Sequence, residues 1–183
     1  MMINGIILAG GKSSRMGQNK ILLPYQGKPL LYYALESMSK VCDHIIVVTG
    51  KYDQEIRRAL EGKNVDVVYN PNYEKGMFSS ILAGVNHVDG DFFILPGDCP
   101  FVEPATFEAL LKGTKDIRVP NYQGNDGHPI FISYKYKSEL LSLPLDYNLK
   151  LFRDSKDYEI INVEDKNIVV NLNEFLDYLN IQN

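Results

Sequence analysis

The sequence is poor in the residues that staple small secreted domains or build zinc sites. Its 183 residues include two cysteines, Cys42 and Cys99, far apart and in no CxxC or Cys/His spacing. That pattern indicates no disulfide framework and no thiolate metal site, and two free thiols in a reducing compartment are expected. Positive charge is not in excess either: 19 Lys and Arg stand against 23 Asp and Glu, a formal net charge of -4. A nucleic-acid partner usually demands a basic face, so none is expected. A small anionic substrate needs only a local positive pocket. No apolar stretch approaches the roughly 18 residues of a membrane span, and Met1-Met2-Ile3-Asn4-Gly5 lacks the basic start and apolar run of a signal peptide. A cytoplasmic protein without membrane contact is expected. No repeat, low-complexity tract or Gly/Ser linker divides the chain, so one domain over residues 1–183 is expected.

What is present is an alternation of short apolar runs with helical patterns. Ile3 to Leu8 stops at Gly10-Gly11, His44 to Thr49 at Gly50, Val65 to Tyr69 at Asn70-Pro71, and Phe92 to Leu95 at Pro96-Gly97. Such runs suit parallel strands buried on both faces. Between them, Pro29 to about Lys40 places Leu30, Leu31, Ala34, Leu35 and Met38 on one helical face. Asp53 to Leu60, Ser79 to His87 and Pro104 to Leu111 give three more helices. The second half is less regular: His128 to Ile132, Tyr158 to Val163 and Ile168 to Val170 are strand-like, and Asn173 to Leu179 forms a final helix. The pattern predicts an α/β fold, a Rossmann-like three-layer sandwich with a mostly parallel sheet and some antiparallel pairing late in the chain. Ligands of such sheets collect beyond the carboxyl ends of the strands, where strand order switches. The loops after Leu8, Tyr69 and Leu95 should therefore face one site.

The first of these loops holds Gly10, Gly11 and Gly17 together with Lys12, Arg15 and Lys20. Glycines let the backbone approach a phosphate and point N–H groups at it. Arg15 offers a planar fork for phosphate oxygens and Lys20 a mobile point charge. Two commoner phosphate motifs fail on spacing. The fifth residue after Gly11 is Met16 and Gly17 is followed by Gln18, so there is no Walker A; the glycines are also misplaced for GxGxxG.

The stretch Leu8-Ala9-Gly10-Gly11, with Ser13-Ser14-Arg15-Met16-Gly17 and Lys20, resembles the signature of the molybdenum cofactor nucleotidyltransferases, the MobA/MocA-like group. The resemblance continues at Gly27-Lys28-Pro29-Leu30-Leu31, Gly76-Met77-Phe78-Ser79-Ser80, Gly97-Asp98-Cys99-Pro100-Phe101 and Gly127-His128-Pro129-Ile130-Phe131. It implies the fold of the nucleotide-diphospho-sugar transferases and an Mg²⁺-dependent transfer of a nucleoside monophosphate from an NTP to molybdopterin, with release of pyrophosphate. Arg15, Lys20 and Asp98 would be catalytic. Leu8, Ala9, Gly10, Gly11, Lys12, Ser13, Asn70, Ser79 and Ser80 would line the nucleotide, with Lys20 and Asp98. His128 would lie on the acceptor side, and a molybdoenzyme would receive the finished cofactor.

Each of these positions also has a plainer reading. Asn70 could form an Asx turn before Pro71, and Ser79 or Ser80 could cap a helix whose N–H groups otherwise bind an anion. His128 could be structural, and Asp98 could cap a turn. The cytidylyl branch of the family often ends in Asp-Ile-Asp-Thr-Pro, whose aspartate completes the metal site. Here the matching stretch is Val169-Val170-Asn171-Leu172-Asn173, so Asn171 would bring a neutral oxygen, or Asn173 would merely cap the last helix. Gly10-Gly11 looks like the guanylyl branch, whereas Met77-Phe78-Ser79-Ser80 and Gly127-His128-Pro129 look like the cytidylyl branch. CTP is favoured over GTP on the two later motifs. An acceptor that is a sugar or alcohol phosphate, or a nucleotide-binding accessory protein without turnover, are the alternatives. A phosphate monoester is already anionic at neutral pH, so the reaction needs alignment and charge neutralisation and no general base.

Overall fold

The computed structural model describes residues 1–11 and 18–182. Strand β1 (Ile3–Ala9) is followed by a small hairpin of β2 (Pro24–Tyr25) and β3 (Lys28–Pro29), then helix α1 (Leu30–Met38). Then come β4 (His44–Thr49), α2 (Asp53–Ala59), β5 (Asp66–Tyr69), α3 (Met77–Val85), β6 (Asp91–Pro96) and α4 (Pro104–Leu111). The second half runs β7 (Ile117–Tyr122), β8 (Asn125–Asp126), β9 (Ile130–Ile132), α5 (Lys137–Leu141), α6 (Leu149–Asp154), β10 (Glu159–Asn162) and α7 (Leu172–Gln182).

Among the described residues the main sheet has the order β10-β7-β9-β6-β1-β4-β5, with β8 paired to β7. β1, β4, β5 and β6 run parallel, and so do β7 and β10. β9 is antiparallel to both β6 and β7, which is the late antiparallel pairing the sequence suggested. The chain builds outward from β1 through β4 to β5, then returns to place β6 on the other side of β1. That reversal leaves a crevice above the carboxyl ends of β1 and β6.

Both faces of β1 are buried, as its unbroken apolar run requires. Ile7 and Ala9 join the core under α1, α2 and α4, while Ile6 and Leu8 join the core under α3, α5 and α6. Helices on both faces make the three layers. The expected face of α1 is the buried one: Leu30, Leu31, Ala34, Leu35 and Met38.

Several boundaries differ from the sequence pattern for identifiable reasons. Pro29 lies outside α1, because it pairs with Pro24 in the hairpin and keeps an extended ψ of 142. Helix α3 begins at Met77, two residues early, since Gly76 at φ 111 turns the chain directly out of the 3-10 turn Tyr73–Lys75. Ile168 to Val170 is no strand. Lys166–Val169 forms a 3-10 turn capped by the Asp165 carboxylate, which accepts the Asn167 N–H at 2.9 Å. The Ile168 carbonyl accepts from the His128 N–H at 2.9 Å, tying that turn to the loop before β9. β7 was hidden because Arg118 and Pro120 interrupt its apolar pattern. Pairing with β9 reaches only to Arg118, so Pro120 falls where the ladder on that side has ended.

Candidate active site

The crevice above β1 and β6 opens into a cavity of about 450 Å³, whose walls include Leu8, Ala9, Gly10, Gly11, Lys20, Ser80, Asp98 and Asn173. β1 delivers Gly10 and Gly11. β6 delivers Asp98, because the Gly97 N–H bonds to the Leu8 carbonyl at 2.8 Å and extends the ladder past the strand end. Gly10 is a position of close approach: a Cβ there would lie 2.9 Å from the Ser80 hydroxyl. That contact seats the first turn of α3 against the glycine loop.

Lys20 starts a one-turn 3-10 helix, Lys20–Leu22, anchored by buried Ile21. Its ammonium donates to Oδ1 of Asn173, which lies 153 residues further along the chain. Asn19, just before it, is 8 % exposed, and its Nδ2 has no hydrogen-bond partner among the described residues. Lys12, Ser13 and Arg15 lie outside the described residues.

Asn70 and Ser79 are buried beneath this cavity, off its walls. Asn70 Nδ2 donates to the hydroxyls of Ser79 and Ser80 at 2.9 and 3.0 Å, and its Oδ1 accepts the Asn72 N–H at 2.9 Å. That last bond is the Asx turn, and the other two fasten the start of α3 to the end of β5. The Ser79 hydroxyl also reaches the carbonyls of Asn72 and Gly76 at 2.9 and 2.7 Å. Only Ser80 of the three reaches the cavity wall.

Asp98 stands exposed between the first cavity and a smaller one of about 250 Å³, which His128 and Asn171 also line. The Cys99 thiol approaches its Oδ1 at a weak 3.7 Å. Burial, reinforced by the Asp98 charge, pushes that thiol well above its ordinary pKa, so it is an inert donor. Among the described residues no three His, Cys, Asp or Glu side chains cluster as a metal cage. The hard oxygens of Asp98 do fit a Mg²⁺ ion that draws its other ligands from phosphate and water. Asn171 has its Oδ1 partly engaged, accepting the Glu174 N–H at 3.1 Å.

A further cavity of about 420 Å³ adjoins these, with Leu8, Phe78, Ile81, Ile94 and Val119 as apolar walls and His128, Lys150 and Arg153 as polar ones. His128 is exposed to solvent. The protein mass around it still lowers its pKa by desolvation, against a smaller opposing pull from Asp98. Arg153 is held by the Asp154 carboxylate at 2.8 Å.

Tyr73, Glu74, Met77 and Asn19 also line the first cavity. Met77 belongs to a motif the sequence singled out and Asn173 was weighed there only as a helix cap, while Asn19, Tyr73 and Glu74 carry no signal of their own. Asn173 is reached only through tertiary folding, and Tyr73 and Glu74 lie in a turn with no motif of its own.

The profile of the MobA-like NTP transferase domain matches residues 5–159. The chain is 28% identical over 180 residues to the molybdenum cofactor cytidylyltransferase of Escherichia coli, covering 97% of this chain and 94% of that one. It is 28% identical over 189 residues to a probable molybdenum cofactor guanylyltransferase of Natranaerobius thermophilus, covering 95% and 87%. The crystal structure of Rv0371c from Mycobacterium tuberculosis superposes with a TM-score of 0.84 at 26% identity, covering 98% of this chain and 97% of that one.

Proposed function

The chain belongs to the MobA-like NTP transferase family, and we propose that it transfers a nucleoside monophosphate from CTP, in preference to GTP, to molybdopterin with release of pyrophosphate. One observation carries this reading: Gly10, Gly11, Lys20 and Asp98 meet around one cavity at the strand-order switch, beside a second, mostly apolar cavity. In this reading the first cavity takes the nucleotide. Backbone N–H groups of Gly10 and Gly11 and the Ser80 hydroxyl bind phosphate oxygens, and the Lys20 ammonium offsets charge on the departing pyrophosphate. Asp98 would hold Mg²⁺, with Asn171 as a neutral neighbour. Bound Mg²⁺ supplies a Lewis acid that offsets phosphate charge. The apolar cavity takes the acceptor ring system, with His128 on its wall and Lys150 and Arg153 as counter-charges for its phosphate. The acceptor needs no base, since its oxygen is already ionised. A molybdoenzyme that takes up the product is the implied partner.

The cytidylyl preference rests on Met77-Phe78-Ser79-Ser80 and Gly127-His128-Pro129, with the E. coli relative in support. The guanylyl relative, at the same identity, keeps GTP as the second reading.

The test is pyrophosphate release with Mg²⁺, CTP or GTP, and molybdopterin against a set of sugar and alcohol phosphates. CTP with molybdopterin should be the productive pair. Asp98→Ala should abolish release with the fold intact, and Lys20→Ala should slow it on the order of 100-fold. Release with another phosphate monoester alone would move the acceptor. Nucleotide binding without release under any pairing would make the protein an accessory binder.

A further inference from the structure

The ladder between β6 and β9 ends at Ile94 and Ile130. Its register would next set Leu95 against Pro129 and Pro96 against His128, and neither proline has an N–H for the ladder. Asp98 and His128 lie at and beyond this point, one on the loop after β6 and the other on the loop before β9. A third segment crosses between them. The Ile168 carbonyl accepts the His128 N–H at 2.9 Å, and the Leu172 N–H bonds to the Asp98 carbonyl at 2.8 Å. Ile168, Val169 and Asn171 line the small cavity that Asp98 and His128 share. Gly127 lets the segment come close, since a Cβ there would collide with the Ile168 carbonyl.

The two ends of this crossing segment are held differently. At the Asp98 end Leu172 is 1 % exposed in the core. Asn171 and Glu174 close the start of α7 as a capping box, each side chain accepting from the other's backbone N–H. At the His128 end the hold is the buried carboxylate of Asp165. One of its oxygens accepts the Glu103 N–H at 2.8 Å and the Thr106 hydroxyl at 2.9 Å, both from the start of α4. The other accepts the Asn167 N–H at 2.9 Å, inside the turn that presents the Ile168 carbonyl.

Taking the first cavity as the nucleotide site and the apolar one as the acceptor site, we infer that Asp165 is a positioning residue for the acceptor side. It fixes the turn to α4, and through the Ile168 carbonyl it sets where the His128 loop stands relative to Asp98. Transfer needs the acceptor oxygen in line with the phosphorus, and a misplacement of about 1 Å costs on the order of 100-fold in rate. The nucleotide side depends less on Asp165, because Asp98 has the Leu172 bond and the Gly97 bond to β1 of its own. An asparagine at 165 turns one acceptor into a donor and cannot serve all three donors.

The test measures pyrophosphate release with CTP and molybdopterin, CTP affinity in Mg²⁺ and thermal melting, all on the full chain. Assayed well below its melting temperature, Asp165→Asn should lose on the order of tenfold or more in kcat/KM for molybdopterin and keep the wild-type CTP affinity. Gly127→Ala disturbs the same junction from the other side and should show the same split. Glu159→Gln is the control for a merely structural loss. Its carboxylate accepts the Thr114 and Lys115 N–H groups at 2.7 and 3.1 Å, off the walls of the three cavities. It should melt lower and turn over like the wild type. Wild-type kcat/KM in Asp165→Asn and Gly127→Ala, an equal loss in Glu159→Gln, or a parallel fall in CTP affinity would overturn the inference while leaving the nucleotide site standing. If the wild-type protein bound neither CTP nor GTP, or released no pyrophosphate with molybdopterin or another phosphate monoester, the reading of the site would fall, and this inference with it.

Discussion

A buried amide without a partner costs about 1–3 kcal/mol, and among the described residues the Asn19 amide, at the wall of the first cavity, has none. Its side chain makes no capping bond to the short helix it precedes, although its carbonyl accepts the Leu22 N–H at 3.1 Å. Removing the polar atoms should therefore cost the resting protein little. Asn19→Leu is expected to keep the urea unfolding free energy within about 1 kcal/mol of wild type or to raise it. A larger loss would show that the carboxamide is satisfied in solution. Asn70 is the opposite case. Its amide hydrogens and its oxygen are spent on Ser79, Ser80 and Asn72, so its polarity braces two loops and is not offered to the cavity. In sequence, Asn19 and Asn70 are both polar residues at the edge of an apolar segment. Only their hydrogen-bond partners tell them apart.

At the scale of elements, α7 does more than close the fold. Its capping box satisfies backbone N–H groups that the first turn cannot pair internally. Asn171→Ala should lower the unfolding free energy by about 1 kcal/mol, or roughly 2–4 °C in Tm for a chain of this size. Glu174→Ala should cost less, since it removes the weaker bond of the pair, 3.3 Å against 3.1 Å. Equal melting of wild type and Asn171→Ala would mean that the helix start frays in solution. The reading of Asn173 as the cap was off by two residues because Asn171 and Asn173 are equivalent by composition. What separates them is Glu174, three residues after Asn171 and only one after Asn173. Apolar periodicity found β1, β4, β5 and β6 because strands buried on both faces write unbroken apolar runs. It missed β7, where arginine and proline break the run, and it misread Ile168 to Val170 as a strand, where Lys166–Val169 is a 3-10 turn whose Ile168 is buried in the core without joining the sheet.

The whole molecule supplies the last test, because a ligand that binds only the folded chain stabilises all of it. At a hundredfold excess over Kd a nucleotide should add about 2.7 kcal/mol, a Tm gain of roughly 5–10 °C. Thermal melts with CTP and with GTP, each in Mg²⁺, should show the larger gain for CTP. A larger gain for GTP would exchange the two nucleobase readings, and no gain with either would remove the nucleotide site. Among the described residues no helix is long and apolar enough to cross a membrane. The sequence by itself determined the alternation of strands and helices, the glycine and lysine loop after β1, and the carboxylate after β6. Those follow from local periodicity and from residue types at short spacing. Tertiary structure alone decided that Asn173 would reach Lys20 across 153 residues, that Asn70 would face inward, and that a small cavity would share Asp98 with the first cavity and His128 with the apolar one. Those depend on strand order and crossover geometry, which bring distant segments to one edge of the sheet and leave no trace in the spacing of any single segment.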